Sequence, residues 1–306
     1  MKNFSPKILV VGTGAIGSLY GAKLAQAGAE VSVLCRSDYE VVKKQGISVK
    51  SHWGDLHFTP KEVLREVSEY KEKADFILVA TKVLPDVSVP YLISPAMSQN
   101  TSVILIQNGI FIEKEIAEAF PNNNLISAIA FVDVIKDGAG SIIHAGDGRL
   151  TFGNYRNPNA EKIEQLIALC NKVEIPCKYV EDIQLERWKK LLWNASFNPI
   201  SVIAGGLNTK EILDNILVKN LVRDVMYEVA LLAKAQGYEI STDFIHDTIS
   251  LTHTRKSPAR TSMLLDFEAG RKMEVGAILG NVLEFAKEKS IATPYLSSLH
   301  ALISCY

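Results

Sequence analysis

Lys7-Ile8-Leu9-Val10-Val11-Gly12-Thr13-Gly14-Ala15-Ile16-Gly17 decides the reading of the first half of the chain. A short β-rich run leads into G-x-G-x-x-G, and an amphipathic helix is expected over Ala15–Ala27. Gly12 suits a tight strand-to-helix turn, Gly14 lets the backbone approach a pyrophosphate, and Gly17 lets the helix lie close on the sheet. The helix N-terminus then offers N–H groups and a positive dipole end to phosphates. Three glycines alone are weak evidence. Their place between a strand and a helix, with a second strand at Glu30–Cys35, is what dinucleotide binding requires. The bland alternative is a glycine turn with only a structural role. The expected cofactor contacts are Gly12, Thr13, Gly14, Ala15, Ile16 and Gly17.

NAD-selective sites place an acidic residue about 20 residues downstream, on the ribose 2′-OH. This chain has Val33-Leu34-Cys35-Arg36-Ser37 at the corresponding strand end. Arg36 can pair with a 2′-phosphate and Ser37 can hydrogen-bond it, so NADP(H) is the expected cofactor. The alternative leaves Arg36 as a solvated charge and makes Asp38 the ribose acceptor.

Further β-rich runs stand at Asp75–Ala80, Ser102–Ile106 and Ser127–Val134, with helical stretches such as Asp38–Gln45 between strands. Apolar strands alternating with helices indicate a parallel sheet covered on both faces. Ser141–Ala145 and Arg149–Gly153 flank Gly146-Asp147-Gly148, which suits a hairpin turn. A helix over Ala160–Val173 and a strand at Cys177–Val180 follow. Beyond residue 182 only helical spacing remains, at Gln184–Phe197, Ile216–Gln236, Ser262–Gly270 and Ala277–Lys289. The expected fold class is therefore α/β, with a Rossmann-type parallel-sheet domain over 1–182 and an all-helical domain over 183–306. With no long Gly/Ser linker the two are expected to pack closely, and a cleft between them is the natural ligand site.

The most informative stretch of the second half is Glu186-Arg187-Trp188-Lys189-Lys190-Leu191-Leu192-Trp193-Asn194, continuing to Asn198-Pro199. Lys190, Asn194 and Asn198 recur every four residues, which makes one polar stripe on a helix, with steps of about 6 Å along its axis. Trp188, Leu191, Leu192 and Ala195 fall on other faces and should be buried. An ammonium and two amides in a row could orient an oxygen-rich substrate, with Lys190 donating a proton to a carbonyl oxygen. Spacing alone equally permits a wet face on which Glu186 and Lys190 form an ordinary ion pair.

In order along the chain stand Gly12-Thr13-Gly14-Ala15-Ile16-Gly17, Arg36, Thr81-Lys82 and Gln107-Asn108-Gly109. Lys190 to Asn194, Asn198-Pro199, Thr261-Ser262-Met263-Leu264-Leu265-Asp266 and Glu274 complete the series. Over nearly its whole length this order resembles the ketopantoate reductases (2-dehydropantoate 2-reductases). The resemblance implies a Rossmann domain, a helical domain and NADPH-dependent reduction of 2-dehydropantoate to pantoate, in pantothenate biosynthesis. It implies that Lys190 is the catalytic lysine and Glu274 its acidic partner. By the same resemblance Asn108, Asn194, Asn198 and Ser262 bind substrate, while Arg36, Lys82 and Asn108 face the cofactor. Bland alternatives stand beside these roles. Asn108 could be a turn residue, Ser262 a helix N-cap, Glu274 a surface partner of Arg271, and Lys82 a solvated lysine. The sequence also departs from the family pattern: Met273-Glu274-Val275-Gly276 replaces the common Thr-Glu-Ile-Asp, and Ala259 stands where an Asn is frequent. A paralogue acting on another branched 2-oxo acid remains an alternative. So do a β-hydroxyacid-type dehydrogenase and a non-catalytic NADP(H) sensor.

The chemistry is coherent. Hydride addition to a 2-oxo acid builds negative charge on the carbonyl oxygen, which a fixed ammonium stabilises and protonates. A nearby carboxylate should favour the charged form of Lys190.

The resemblance implies a small-molecule 2-oxo acid as partner, and composition argues against two other classes. The 306 residues carry 33 Lys plus Arg against 34 Asp plus Glu, a net charge of -1, with 47% apolar residues. That balance argues against nucleic acid and against a polybasic membrane patch. No run approaches the roughly 18 apolar residues of a membrane span. No signal-peptide pattern opens the chain, and four scattered cysteines fit a reducing, cytoplasmic setting. The six histidines show no metal pattern and no metal is expected. A homodimer is compatible with these features.

Overall fold

The structure, a computed structural model, describes residues 5–306. The chain forms two compact units. The first runs up to Lys82 and includes Asp86–Gln107 and Glu113–Ile183; the second comprises Val83–Pro85, Asn108–Ile112 and Gln184–Tyr306.

The first unit is built on one ten-stranded sheet. Its strands are β1 (Lys7–Val11), β2 (Glu30–Leu34), β3 (Ile47–Ser51), β4 (Leu56–Phe58), β5 (Val63–Leu64), β6 (Phe76–Val79), β7 (Ser102–Leu105), β8 (Leu125–Lys136), β9 (Ser141–Arg156) and β10 (Cys177–Tyr179). The path is β4-β3-β9-β8-β7-β6-β1-β2-β5, with β10 beside β9. From β8 to β5 every neighbouring pair is parallel. Side chains of β1 alternate between two cores: Ile8 and Val10 enter one, Leu9 and Val11 the other. Burial on both faces is why this strand is apolar throughout. The chain leaves β1 toward β2 on one side and reaches β6 on the other. This puts the glycine loop at a topological switch point, where open α/β sheets bind ligands.

Helix α1 (Ala15–Gln26) follows, and here the amphipathic expectation fails. All residues from Gly17 to Leu24 are buried. The cause is the long β8–β9 ribbon, since the Tyr20 hydroxyl, inside the unit, donates to the Gly148 carbonyl of β9. That ribbon also corrects the hairpin. β8 and β9 are antiparallel along their lengths, so the sheet is mixed, and the turn lies at 137–140 rather than at Gly146-Asp147-Gly148. Those residues sit inside β9, where the register against β8 slips. Asp147 and Gly148 take positive φ (56° and 116°), the signature of a bulge that bends a strand. The remaining helices are α2 (Tyr39–Gln45), α3 (Val89–Ile93), α4 (Lys114–Ala119) and α5 (Ala160–Lys172).

The second unit is helical, as expected. It contains α6 (Ile183–Ile203), α7 (Thr209–Asp214), α8 (Ile216–Ala235), α9 (Thr242–His253), α10 (Ser262–Glu268), α11 (Asn281–Glu288) and α12 (Pro294–Ile303). Trp188, Leu191, Leu192 and Ala195 of α6 are buried in its core with residues of α8, α9 and α12. The anticipated helix over Ala277–Lys289 instead opens with a π-helical turn at Gly276–Gly280. Such turns leave local carbonyls without their usual partner and are frequent at functional sites.

Candidate functional site

The glycine loop meets the geometric needs of a dinucleotide site. Gly12 has φ +102°, and a Cβ there would lie 2.6 Å from the Thr81 backbone nitrogen. At Gly17 a Cβ would lie 2.1 Å from the Gly12 carbonyl oxygen, so only glycine allows α1 to pack this closely on the loop. A Cβ at Gly14 would meet nothing within 4 Å, so the space against its backbone is open to a ligand. Thr13 donates to the Leu34 carbonyl (3.1 Å), fastening the loop to the end of β2. Ala15 and Ile16 form the first turn of α1, where helical N–H groups lack intrahelical acceptors. These residues fit a pyrophosphate.

Arg36 is exposed just past β2. Asp38, its rival in the sequence, is only 5% exposed and fully engaged. It accepts from Lys136 Nζ (2.6 Å), the Gly140 nitrogen (3.0 Å) and the Ser37 hydroxyl (2.8 Å). Burial opposes its negative charge, and these donors together hold its carboxyl below the usual range. Lys82 is half-buried after β6, next to Thr81, whose carbonyl accepts from Gln107 Nε2 (2.8 Å).

The helical unit gathers the other candidates. Lys190 Nζ donates to Asn108 Oδ1 at 2.8 Å, although the two are 82 residues apart. Asn108 reaches this position because the next residues are clamped. Gly109 has φ +109° and lies so close to the π turn that a Cβ would sit 2.6 Å from the Ala277 carbonyl oxygen. The Ile110 nitrogen donates to that same carbonyl (3.3 Å), and Asn281 Nδ2 donates to the Ile110 carbonyl (2.8 Å). Arg187 Nη1 donates to the Gly109 carbonyl (3.2 Å). Glu274, just ahead of the π turn, accepts from the Val83 nitrogen (2.9 Å). The surface-pair alternative for Glu274 is not what the structure shows, because Arg271 is bound to Asp266 (2.8 Å).

The polar stripe of α6 faces inward. Asn194 is 6% and Asn198 1% exposed, and neither amide atom of Asn198 has a hydrogen-bond partner. A buried amide left unmade costs roughly 1–3 kcal/mol, so this position of the stripe holds unused hydrogen-bonding capacity. Glu186 pairs with Lys189 (2.8 Å). Ser262 is exposed at the first position of α10, and the cap is Thr261, which accepts from the Leu264 nitrogen (3.1 Å). The Thr261 hydroxyl meets that of Ser201 (2.6 Å), and Ser201 donates to the Asn198 carbonyl (2.8 Å). This links the start of α10 to the helix turn of Asn198.

Lys190 has its pKa lowered from 10.5 to about 7, first by burial and next by the Arg187 guanidinium, while Glu274 pulls it back up. The carboxylate acts in the expected direction, but desolvation outweighs it. A group that gains and loses its proton near neutrality is suited to acid–base work. Sequence reading missed Arg187 and the Val83 nitrogen, both of which act through contacts remote in the chain.

A lysine set among amides in a helical unit, joined to a Rossmann-type sheet unit with an open glycine loop, defines a class of two-unit oxidoreductases. The chain belongs to the ketopantoate reductase family. The family model "Ketopantoate reductase PanE/ApbA" matches residues 8–157, and its C-terminal counterpart matches 182–306. A 2-dehydropantoate 2-reductase of Nostoc sp. is 35% identical, over 96% of this chain and 93% of its own length. The crystal structure of 2-dehydropantoate 2-reductase from Methylococcus capsulatus superposes with a TM-score of 0.90 at 42% identity, covering 98% of this chain and 96% of that one. The corresponding structure from Geobacter metallireducens GS-15 gives 0.91 at 30% identity, over 98% and 99%.

Proposed function

We propose that this chain reduces 2-dehydropantoate to pantoate with NADPH, Lys190 acting as the general acid. The carrying observation is the Lys190–Asn108 hydrogen bond, which fixes a desolvated ammonium at the head of a stripe containing the unpartnered amide of Asn198. When bound, the nicotinamide supplies the hydride. Lys190 transfers its proton to the carbonyl oxygen as negative charge grows there. Asn194, Asn198 and Ser262 orient the oxygen atoms of the substrate, while Glu274 moderates the loss of the Lys190 proton that burial favours. Gly12 to Gly17 hold the pyrophosphate, with Lys82 and Asn108 on the cofactor side. The cofactor side is drawn from 1–182 and the substrate side from 183–306 together with Val83–Pro85 and Asn108–Ile112, and the protein works on a free small molecule, in the cytoplasm.

The test is NADPH oxidation with 2-dehydropantoate, run beside other branched 2-oxo acids and 3-hydroxy acids. Fastest turnover of 2-dehydropantoate is expected. Preference for another acid would replace the substrate, and tight NADPH binding with no oxidation across the panel would replace the enzyme with a sensor.

Arg36 tests the cofactor. With Asp38 committed to Lys136, Gly140 and Ser37, Arg36 is left as the residue that meets a 2′-phosphate. Arg36→Asp should weaken NADPH by about 10²-fold while NADH changes little, since it removes a charge-assisted pair and adds repulsion. Equal effects on both coenzymes, measured by fluorescence titration, would remove Arg36 from that role.

A further inference from the structure

We propose that Arg187 is a positioning residue whose guanidinium, through the Gly109 carbonyl, holds Asn108 against the Lys190 ammonium. The inference rests on the reading of Lys190 as the proton donor. Arg187 is 3% exposed, and it lies one helical turn from Lys190 on α6. Placing two cations three residues apart on a helix, with Arg187 buried and Lys190 half-buried, is unfavourable in itself. A purely structural role would be met more cheaply by an apolar side chain of similar size.

What the arginine provides is a bond no apolar residue can make, to a carbonyl whose direction is set by a glycine that must be glycine. Gly109 cannot shift toward the π turn, because Ala277 blocks it, and Ile110 is held on both its nitrogen and its carbonyl. Arg187 closes the remaining side. The chain segment bearing Asn108 is thus held at three consecutive backbone groups, and its side chain is delivered to Lys190.

Among the described residues, the charges that shift Lys190 are the Arg187 guanidinium and the Glu274 carboxylate. On α6 stand Arg187, Glu186 and Lys189, the last two paired to each other; from the segment before the π turn comes Glu274. Arg187 therefore acts twice, through the loop and through its own field, and the two effects separate on substitution. Arg187→Met removes both; Arg187→Lys keeps the charge and loses the planar fork.

The experiment is a pair of pH titrations on the whole chain. In the first, lysine is labelled with ¹³C at Cε and the Lys190 resonance is assigned by its disappearance in Lys190→Ala. In the second, kcat and KM for 2-dehydropantoate are followed at saturating NADPH. Arg187→Met should move the Lys190 midpoint upward, carry the alkaline limb of kcat with it, and lower kcat by about 10–100-fold through a loosened Asn108. Arg187→Lys should restore the midpoint but not kcat. An unchanged midpoint in Arg187→Met, or wild-type kcat and KM in Arg187→Lys, would overturn the proposal. If Arg187→Met does not fold, Arg187→Lys decides by its kinetics. The resonance titration needs neither substrate nor coenzyme. A wild-type chain inert toward 2-dehydropantoate would thus refute the proposed function and still leave Arg187 judged on the Lys190 midpoint.

Discussion

Replacing Lys190 with alanine is expected to lower kcat for 2-dehydropantoate by about 10²–10⁴-fold, the usual contribution of a positioned general acid. NADPH affinity should stay within a few-fold, because the glycine loop and Arg36 belong to a different unit of the chain. Near-normal turnover in that variant would take Lys190 out of the mechanism. The pH dependence follows from the direction of its shift. In the proposed mechanism the active form is protonated, so kcat should fall as pH rises through the folded pKa of about 7. The same shift bears on stability. Between about 7 and the ordinary lysine value of 10.5 the unfolded chain binds more protons than the folded one, so folding is favoured as pH rises across that window. Lys190→Met, which removes the ionisable group, should therefore melt higher than wild type at neutral pH. The advantage should shrink toward pH 10.5. A melting difference independent of pH would contradict the desolvation of the ammonium.

Gly109→Ala should be the most damaging single methyl in the helical unit. Its φ of +109° is one that alanine reaches only with strain. The added Cβ would also stand 2.6 Å from the Ala277 carbonyl oxygen and 2.8 Å from the Ala277 Cβ. Relief requires the loop to back away from the π turn, taking Asn108 off Lys190. A loss of roughly 2–4 kcal/mol is expected from strain and overpacking together, with a further loss of turnover. Gly28→Ala is the control, since Gly28 has φ +99° but nothing within 4 Å of its would-be Cβ. It should cost only the conformational part, roughly 1–2 kcal/mol. Equal melting temperatures for the two variants would show that the close approach at Ala277 is not what requires glycine.

The parts of the fold that local pattern dictates could be read directly. The boundaries of β1 and the start of α1 follow from an apolar run, a glycine triplet and a switch of period, all within twenty residues. β3 carried a readable signal that was missed: Ile47-Ser48-Val49-Lys50 alternates apolar with polar, and Ile47 and Val49 are buried while Ser48 and Lys50 are exposed. Asn208 with Glu211, a capping box at the head of α7, was another. The misplaced hairpin has a different cause. Asp137-Gly138 and Asp147-Gly148 are the same dipeptide, and local chemistry cannot tell a turn from a bulge; strand pairing decides. In the site, spacing alone gave the α6 stripe, but it could not show that the stripe is buried. Nor could it show that Asn108 reaches it, because that placement depends on Gly109 packing against Ala277, or that Glu274 is engaged by the Val83 nitrogen. Arg187 was invisible for the same reason: nothing in Glu186-Arg187-Trp188 reveals that its partner is a carbonyl 78 residues away.

Two short segments, Val83–Pro85 and Asn108–Ile112, leave the strand-rich part of the polypeptide to become members of the helical body. For protein engineering this means that the two halves are not modular in the linear sense. A chimera spliced at residue 183 would give the recipient's helices a donor's Gly109 and Val83. Recombining coenzyme preference with substrate range therefore calls for five junctions, two around each insert and one ahead of Gln184, so that both inserts travel with the helices they complete.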